Sequence, residues 1–224
     1  MAMALERPRR RRAREQTGIR LTDRDRDLFG WINGHGFVTV AQVARWMGVH
    51  YQTAQRRLQI LVHRGYLQTA WVLHGEPRAH WLTKQGWREI QDGLAPPRQV
   101  SAGGFLHDRM LVDISLFVTR PGIRFVPARR LRRQQWTRDP ISGAGHVADG
   151  LLLAADGTKV AIELELTAKN ATALETIIRD HAADLDLDQV WYFVTDLSVR
   201  RLVTRFTEGH EDLFRIYDWR DQAA

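Results

Sequence analysis

Apolar positions recur along this chain at helical spacing, then at strand spacing, with polar or glycine-rich stops between them. Order begins near Leu21. Thr22 is placed to cap a helix, and Asp23 and Asp25 fall in the first turn, where the helix dipole favours acids. Leu28, Phe29, Trp31 and Ile32 then form an apolar face, and Asn33-Gly34-His35-Gly36 stops the helix. A β-branched stub, Phe37-Val38-Thr39, leads into "VAQVARWMG", where Val40, Val43, Ala44 and Met47 share one face and Gly48 closes it. Val49-His50-Tyr51 is a short turn. In the following "QTAQRRLQILVHRGY", Ala54, Leu58, Leu61 and Val62 make a buried stripe that leaves Gln52, Gln55, Arg56, Gln59 and His63 outside it. Gly65 ends that helix. "YLQTAWVL" and "RAHWLT" read as strands joined by the hairpin signal His74-Gly75-Glu76-Pro77, and Thr83 caps a last helix, "KQGWREIQDGL".

Helix, strand stub, helix, tight turn, helix, hairpin and helix is the order of a winged helix-turn-helix domain, expected over residues 18–94. "APPRQVSAGG", residues 95–104, is a Pro/Gly/Ser stretch that reads as a linker. Beyond it, "FLHDRMLVDISLFVT" reads as a helix with Leu106, Met110, Asp113 or Ile114, and Phe117 at helical steps. "IRFVP" is a strand, and residues 128–144 are basic and irregular. "HVADGLLLA" and "KVAIELEL" flank the turn Asp156-Gly157 as strands. "NATALETIIRDHAADL" is an amphipathic helix, "QVWYFVT" a buried strand, "SVRRLVTRF" a helix and "LFRIYDW" a final strand. The order α-β-β-β-α-β-α-β over 105–224 predicts a mixed sheet covered by helices. The fold class is thus α+β or α/β.

Charge sharpens this picture. The chain of 224 residues carries a net +7, from 33 Lys+Arg against 26 Asp+Glu. Residues 1–17 lack periodicity and read as a disordered basic arm containing Arg7, Arg9, Arg10, Arg11, Arg12 and Arg14. Residues 120–138 hold seven arginines and no acid, whereas residues 139–224 hold eight Lys+Arg against sixteen Asp+Glu. Two basic patches beside aromatic-containing folded segments point to a polyanionic partner, and the acidic C-terminal region allows contacts between copies or with other proteins. There is no cysteine, which excludes disulfides, thiolate metal sites and thiol catalysis. No apolar run is long enough to span a bilayer and the N-terminus has no apolar signal core, so no membrane partner and a cytoplasmic, nucleoid- or plasmid-associated location are expected.

The chemistry-bearing segment is "GHVADGLLLAADGTKVAIELELTAKN". Side chains alternate along a strand, so Glu163, Glu165 and Thr167 share one face, and antiparallel pairing can bring Asp149 to Glu163 or Glu165. Converging carboxylates suit Mg²⁺ or Mn²⁺. His146 is placed for a general base. His107-Asp108 opens the preceding helix, where an acid is also an ordinary dipole partner.

This arrangement resembles the restriction-endonuclease-like PD-(D/E)XK core. The resemblance implies Asp149 and Glu163 as metal ligands. It puts Glu165 at the position that holds lysine in that core, with Lys169 as a lysine displaced to the next helix. Ala148 stands where the usual proline would precede the aspartate. The departure at Glu165 favours a non-catalytic domain used for assembly. The alternative is a metal-dependent endonuclease or nickase using Asp149, Glu163, Glu165 and Lys169.

Residues 21–195 as a whole resemble the replication-relaxation family of actinobacterial plasmids and integrative elements. The matching stretches are "LTDRDRDLFGWINGHGFVTVAQVARWMG", "RRLQILVHRGYL", "HWLTKQG", "HVADGLLLAADGTKVAIELELTAKN" and "VWYFVTD". The resemblance implies sequence-directed binding of double-stranded DNA in replication, transfer or its transcriptional control. The charge layout, basic patches with an acidic C-terminal region, motivates assembly as a homo-oligomer or with other proteins of the element. The candidate DNA contacts are Gln52, Thr53, Gln55, Arg56 and Arg57 at the start of the third helix and Arg78 on the hairpin. The arm Arg9, Arg10, Arg11 and Arg12 would enter a minor groove or follow phosphates, and the run Arg129, Arg130, Arg132 and Arg133 adds further candidate DNA contacts. Trp136, inside that run, is a further aromatic candidate.

Overall fold

A computed structural model describes residues 20–96, 99–138, 146–167 and 171–219. Capping chemistry decides where the first helices begin. In α1 (Asp23–His35) Thr22 accepts from the Asp25 amide while the Asp25 carboxylate accepts from the Thr22 amide, a reciprocal capping box. Thr39 and Gln42 repeat the device at α2 (Val40–Met47), and Gly48 ends α2 in the left-handed conformation that favours glycine. His50 caps α3 (Tyr51–His63). Strands β1 (Leu67–Ala70) and β2 (Ala79–Leu82) form the expected antiparallel hairpin. The stub at Val38 bridges to His80. Helix α4 is shorter than its sequence suggests, Lys84–Arg88, capped by Thr83.

Next come α5 (Phe105–Val118), β3 (Ile123–Pro127), α6 (Ala128–Arg138), β4 (Gly150–Ala154), β5 (Lys159–Glu165), α7 (Ala171–Ala183), β6 (Gln189–Val194), α8 (Leu197–Thr207) and β7 (Phe214–Asp218). The five strands lie in chain order. β3, β4 and β5 pair antiparallel; β5, β6 and β7 pair parallel. The mixed sheet is therefore as its strand-and-crossover pattern predicts. Leu152, Val160, Ile162, Leu164 and Phe193 face α5. Ala161, Val190, Tyr192 and Val194 face α7 and α8.

Two segments differ from their sequence-based reading. Residues 128–138, expected to be irregular, are helical. They contain neither proline nor glycine, and their arginine, leucine and glutamine are good helix formers once the charge is neutralised. Arg129 donates to the Asn33 carbonyl at 2.6 Å and the Ala95 carbonyl at 3.0 Å. Arg130 donates to the Gly30 carbonyl at 3.1 Å and to Asp92 at 2.9 Å. Guanidinium groups thus meet the electronegative last turn of α1.

The second difference is the face of α5. Phe117, expected inside, is 48% exposed, while Phe105, Arg109, Leu111, Val112, Ile114 and Val118 are buried. The helix lies between two cores, so a single apolar stripe does not describe it. Val112 packs with Leu28, Phe29, Ile32 and Leu58 of the N-terminal half, and Ile114 packs on the sheet. Phe105 stacks on Phe37 with ring centroids 4.9 Å apart. Polar ties reinforce the seam. Gln42 donates to the Arg109 carbonyl at 2.9 Å, Arg45 pairs with Asp113 at 3.1 Å, and the buried Arg109 pairs with Glu76 of the hairpin loop at 3.1 Å. Residues 95–104 therefore join two halves that share a helix.

Two histidines are held neutral in this framework. Burial pushes His80 down to about 4, helped by the Arg78 charge. Burial, with Arg130 adding to it, pushes His35 down to about 3; its ring stacks on Phe125. Below the ordinary histidine value the unfolded chain takes up protons that the folded chain refuses, so stability falls as pH drops from about 6.5 toward about 4. Urea midpoints measured from about pH 7 to about pH 5 are expected to decline, and His80→Phe should flatten that decline.

Candidate functional site

The outward face of α3 carries the first group of candidates. Tyr51, Gln52, Thr53, Arg56, Gln59 and His63 are exposed, and Gln55 is half-buried at the edge of the face. The helix contains no acidic residue. Facing it across a groove of about 550 Å³ is the hairpin, where the Arg78 guanidinium lies 4.0 Å from the centre of the Trp71 ring. Trp71 is 70% exposed, an unusual placement for a large aromatic side chain.

Arg57 does not belong to that face. One helical step from Arg56 turns it inward, where its Nε donates to Asp25 at 2.8 Å and its other nitrogen reaches the second carboxylate oxygen. Burial alone would raise the Asp25 pKa, but Arg57 and the Thr22 cap outweigh it and hold the carboxyl below its usual range. Arg57 is thus the counter-ion of a buried cap. Arg129 and Arg130 are likewise committed to α1, whereas Arg132 and Arg133 are exposed on α6. The arm arginines Arg9, Arg10, Arg11 and Arg12, as well as Lys169 and the Trp136 side chain, lie outside the described residues.

The carboxylates of the second half turn to different partners. Glu163 and Glu165 share a strand face, as expected from alternation, and both are buried. The β4–β5 register sets Asp149 level with Glu163. Asp149 nevertheless precedes β4, and its Oδ2 accepts from the Leu164 amide at 3.0 Å and lies 3.2 Å from His107 Nε2. His107 belongs to α5, on the opposite side of the sheet from the α7 layer. Asp149 is thus held by α5 and the β5 backbone and Glu163 by α7, while both carboxylates, with Glu165, lie near enough to Tyr192 to raise its pKa.

Two local environments result. Asp149 lines a cleft of about 450 Å³ with His107, Asp108, Arg129 and Arg132. His107 spans its two acids, 3.2 Å from Asp149 and 3.4 Å from Asp108. Partial burial would lower its pKa, but the two carboxylates dominate and raise it to about 10. His107 thus stands between the acids, so the side chains gathered here are two carboxylates and an imidazole rather than the all-oxygen set that Mg²⁺ prefers.

Glu163 has two other histidines. Its Oε1 lies 2.7 Å from His146 Nε2 and 2.8 Å from His181 Nε2. The imidazole rings stand nearly perpendicular, centroids 5.3 Å apart. Burial would raise the Glu163 pKa, yet the two histidine contacts outweigh it and hold the carboxyl below its usual value. His146 was legible in the sequence as a general-base candidate or a polar strand start, not as a partner of Glu163. His181 escaped notice, although it falls on the apolar stripe of α7 with Leu174 and Ile178, where a polar side chain needs a partner.

Comparison of the chain with protein-family profiles, with curated proteins and with solved structures found no match. No helix among the described residues is long and apolar enough to cross a membrane. Because Arg57→Ala strands a buried carboxylate, it is expected to lower the unfolding free energy by about 2 kcal/mol. Arg56→Ala should change it by no more than about 0.5 kcal/mol. Urea denaturation of the two variants distinguishes these positions.

Proposed function

We propose that this chain is a sequence-directed double-stranded-DNA-binding protein of a plasmid or integrative element, acting in replication, transfer or its transcriptional control. In this reading residues 18–94 are a winged helix-turn-helix unit. Helix α3 enters the major groove, and the hairpin is the wing. The observation that carries it is the acid-free, polar outer face of α3 set beside the Arg78–Trp71 pair. Gln52 and Gln55 offer amide pairs suited to adenine. Arg56 suits guanine or phosphate, and Arg78 suits the backbone. Arg132 and Arg133 on α6 and the basic arm add positive charge. The resemblance to the replication-relaxation family supports the biological setting.

The restriction-endonuclease-like half serves assembly in this proposal, with a second copy or with other proteins of the element. The separate histidine partners of Asp149 and Glu163 and the glutamate at position 165 favour that role over cleavage. The endonuclease reading keeps one observation in its favour, the open cleft in front of Asp149. Supercoiled plasmid incubated with Mg²⁺ or Mn²⁺ is expected to remain intact. Nicking by the wild-type chain that disappears in Asp149→Ala would instead establish the nuclease.

Binding to a short duplex, followed by fluorescence anisotropy over a range of salt concentrations, tests the DNA reading. The double variant Arg56→Ala/Arg78→Ala is expected to bind about tenfold or more weakly and to reduce the magnitude of the log–log salt slope by about 2. An unchanged affinity and slope would overturn the placement of α3 and the hairpin on DNA.

A further inference from the structure

We propose that His146, Glu163 and His181 form a binding site for a transition-metal dication of the zinc or cobalt kind. Among the described residues these three are the group of histidines and acids whose donor atoms converge, all lying within 4.8 Å of one another. They come from three separate elements: the segment before β4, strand β5 and the last turn of α7. Both histidines present Nε2 to the same carboxylate. Two imidazoles with one carboxylate suit zinc, cobalt and nickel, and are a poor match for magnesium or calcium, which prefer all-oxygen ligands. The same ligand composition, with a position left for water, occurs in open zinc sites.

The spacing is close to that of a coordinated ion. Metal–ligand bonds of zinc at its usual angles separate neighbouring donors by roughly 3.0–3.4 Å. The histidine–carboxylate separations are 2.7 and 2.8 Å, so admission of the ion requires the rings to retreat by roughly half an ångström. Hydrogen bonds to the histidines account for Oε1 but leave the rest of the carboxylate unexplained. Glu163 is fully buried, and its Oε2 has no hydrogen-bond partner among the described residues. A buried carboxylate oxygen without a donor is costly, and a cation shared by both oxygens removes the cost. At the adjacent register position on β6, the buried Tyr192 hydroxyl also has no partner among the described residues. Entry is on the His146 side, since that side chain is 21% exposed whereas those of Glu163 and His181 are almost wholly enclosed.

The site is distinct from the Asp149 cleft and independent of whether the chain binds DNA. The ion would tie the approach to β4 and the end of α7 to the central strand. The test uses the full chain stripped by a chelator and dialysed near neutral pH. Titration with Zn²⁺ or Co²⁺ is expected to show one tight equivalent per chain, a visible Co²⁺ absorption spectrum and a raised melting temperature. Mg²⁺ should reproduce none of these. His146→Ala, at the exposed edge, is expected to keep the circular dichroism of the metal-free chain and to weaken binding by at least about tenfold. Glu163→Gln, which preserves side-chain volume, should lose the tight equivalent while remaining folded. Failure of the folded wild-type chain to bind Zn²⁺ or Co²⁺ stoichiometrically would overturn the proposal. So would equal affinity in wild type and His146→Ala, which would place the ion on another of the nine histidines.

Discussion

Helix α5 lends side chains to two hydrophobic cores at once, and the arrangement of both halves follows from that sharing. Val112 closes the N-terminal cluster around Phe29 and Ile32, while Ile114, two residues on, seals one face of the sheet. Removing apolar surface from water is the main favourable contribution to folding, and here one helix removes it on both sides. The consequence is mechanical as well as thermodynamic. Neither half can rotate about residues 95–104 without exposing the same buried residues, so the candidate DNA face on α3 and the sheet with its histidines keep a fixed mutual orientation.

Charge is handled with the same economy. Arginine is enriched in residues 120–138, which suggests a surface for polyanions, yet Arg129 and Arg130 are consumed by α1 carbonyls and Asp92. Arg57 is consumed by Asp25. The guanidinium groups left exposed are fewer, and they lie where a groove or an outer helix face remains open. On the acidic side, His107 supplies a positive charge between Asp149 and Asp108, and two histidines hold Glu163. A histidine set between neighbouring acids offsets their mutual repulsion.

Elements whose boundaries depend on local chemistry were legible in the sequence. Thr22 and Thr83 each announce a helix start, Gly48 announces a stop, and the strand alternation through Glu163 and Glu165 correctly put both on one face, whereas Thr39 read as the end of a strand stub and caps α2 instead. What depended on distant partners was not legible. Helix α6 needed acceptors on α1 before its arginines could be packed. The buried face of α5 depended on a second core that lies on its other side. The separate partners of Asp149 and Glu163 depended on where strand pairing begins: one residue outside β4, Asp149 is released from alternation and reaches α5. His181 could have been suspected from its place on an apolar stripe, but its partnership with His146 required the fold.

The tie between Arg109 and Glu76 has a further consequence for the hairpin. Loops at the tip of a two-stranded ribbon ordinarily sample many conformations, and a partner that engages them must suppress that freedom on contact. Here the loop is anchored at its base to a buried side chain of α5, itself flanked by Asp113. Trp71 and Arg78 flank the loop that this ion pair ties to α5. In the proposed docking on DNA, that tie would lessen the ordering that the ribbon undergoes on contact.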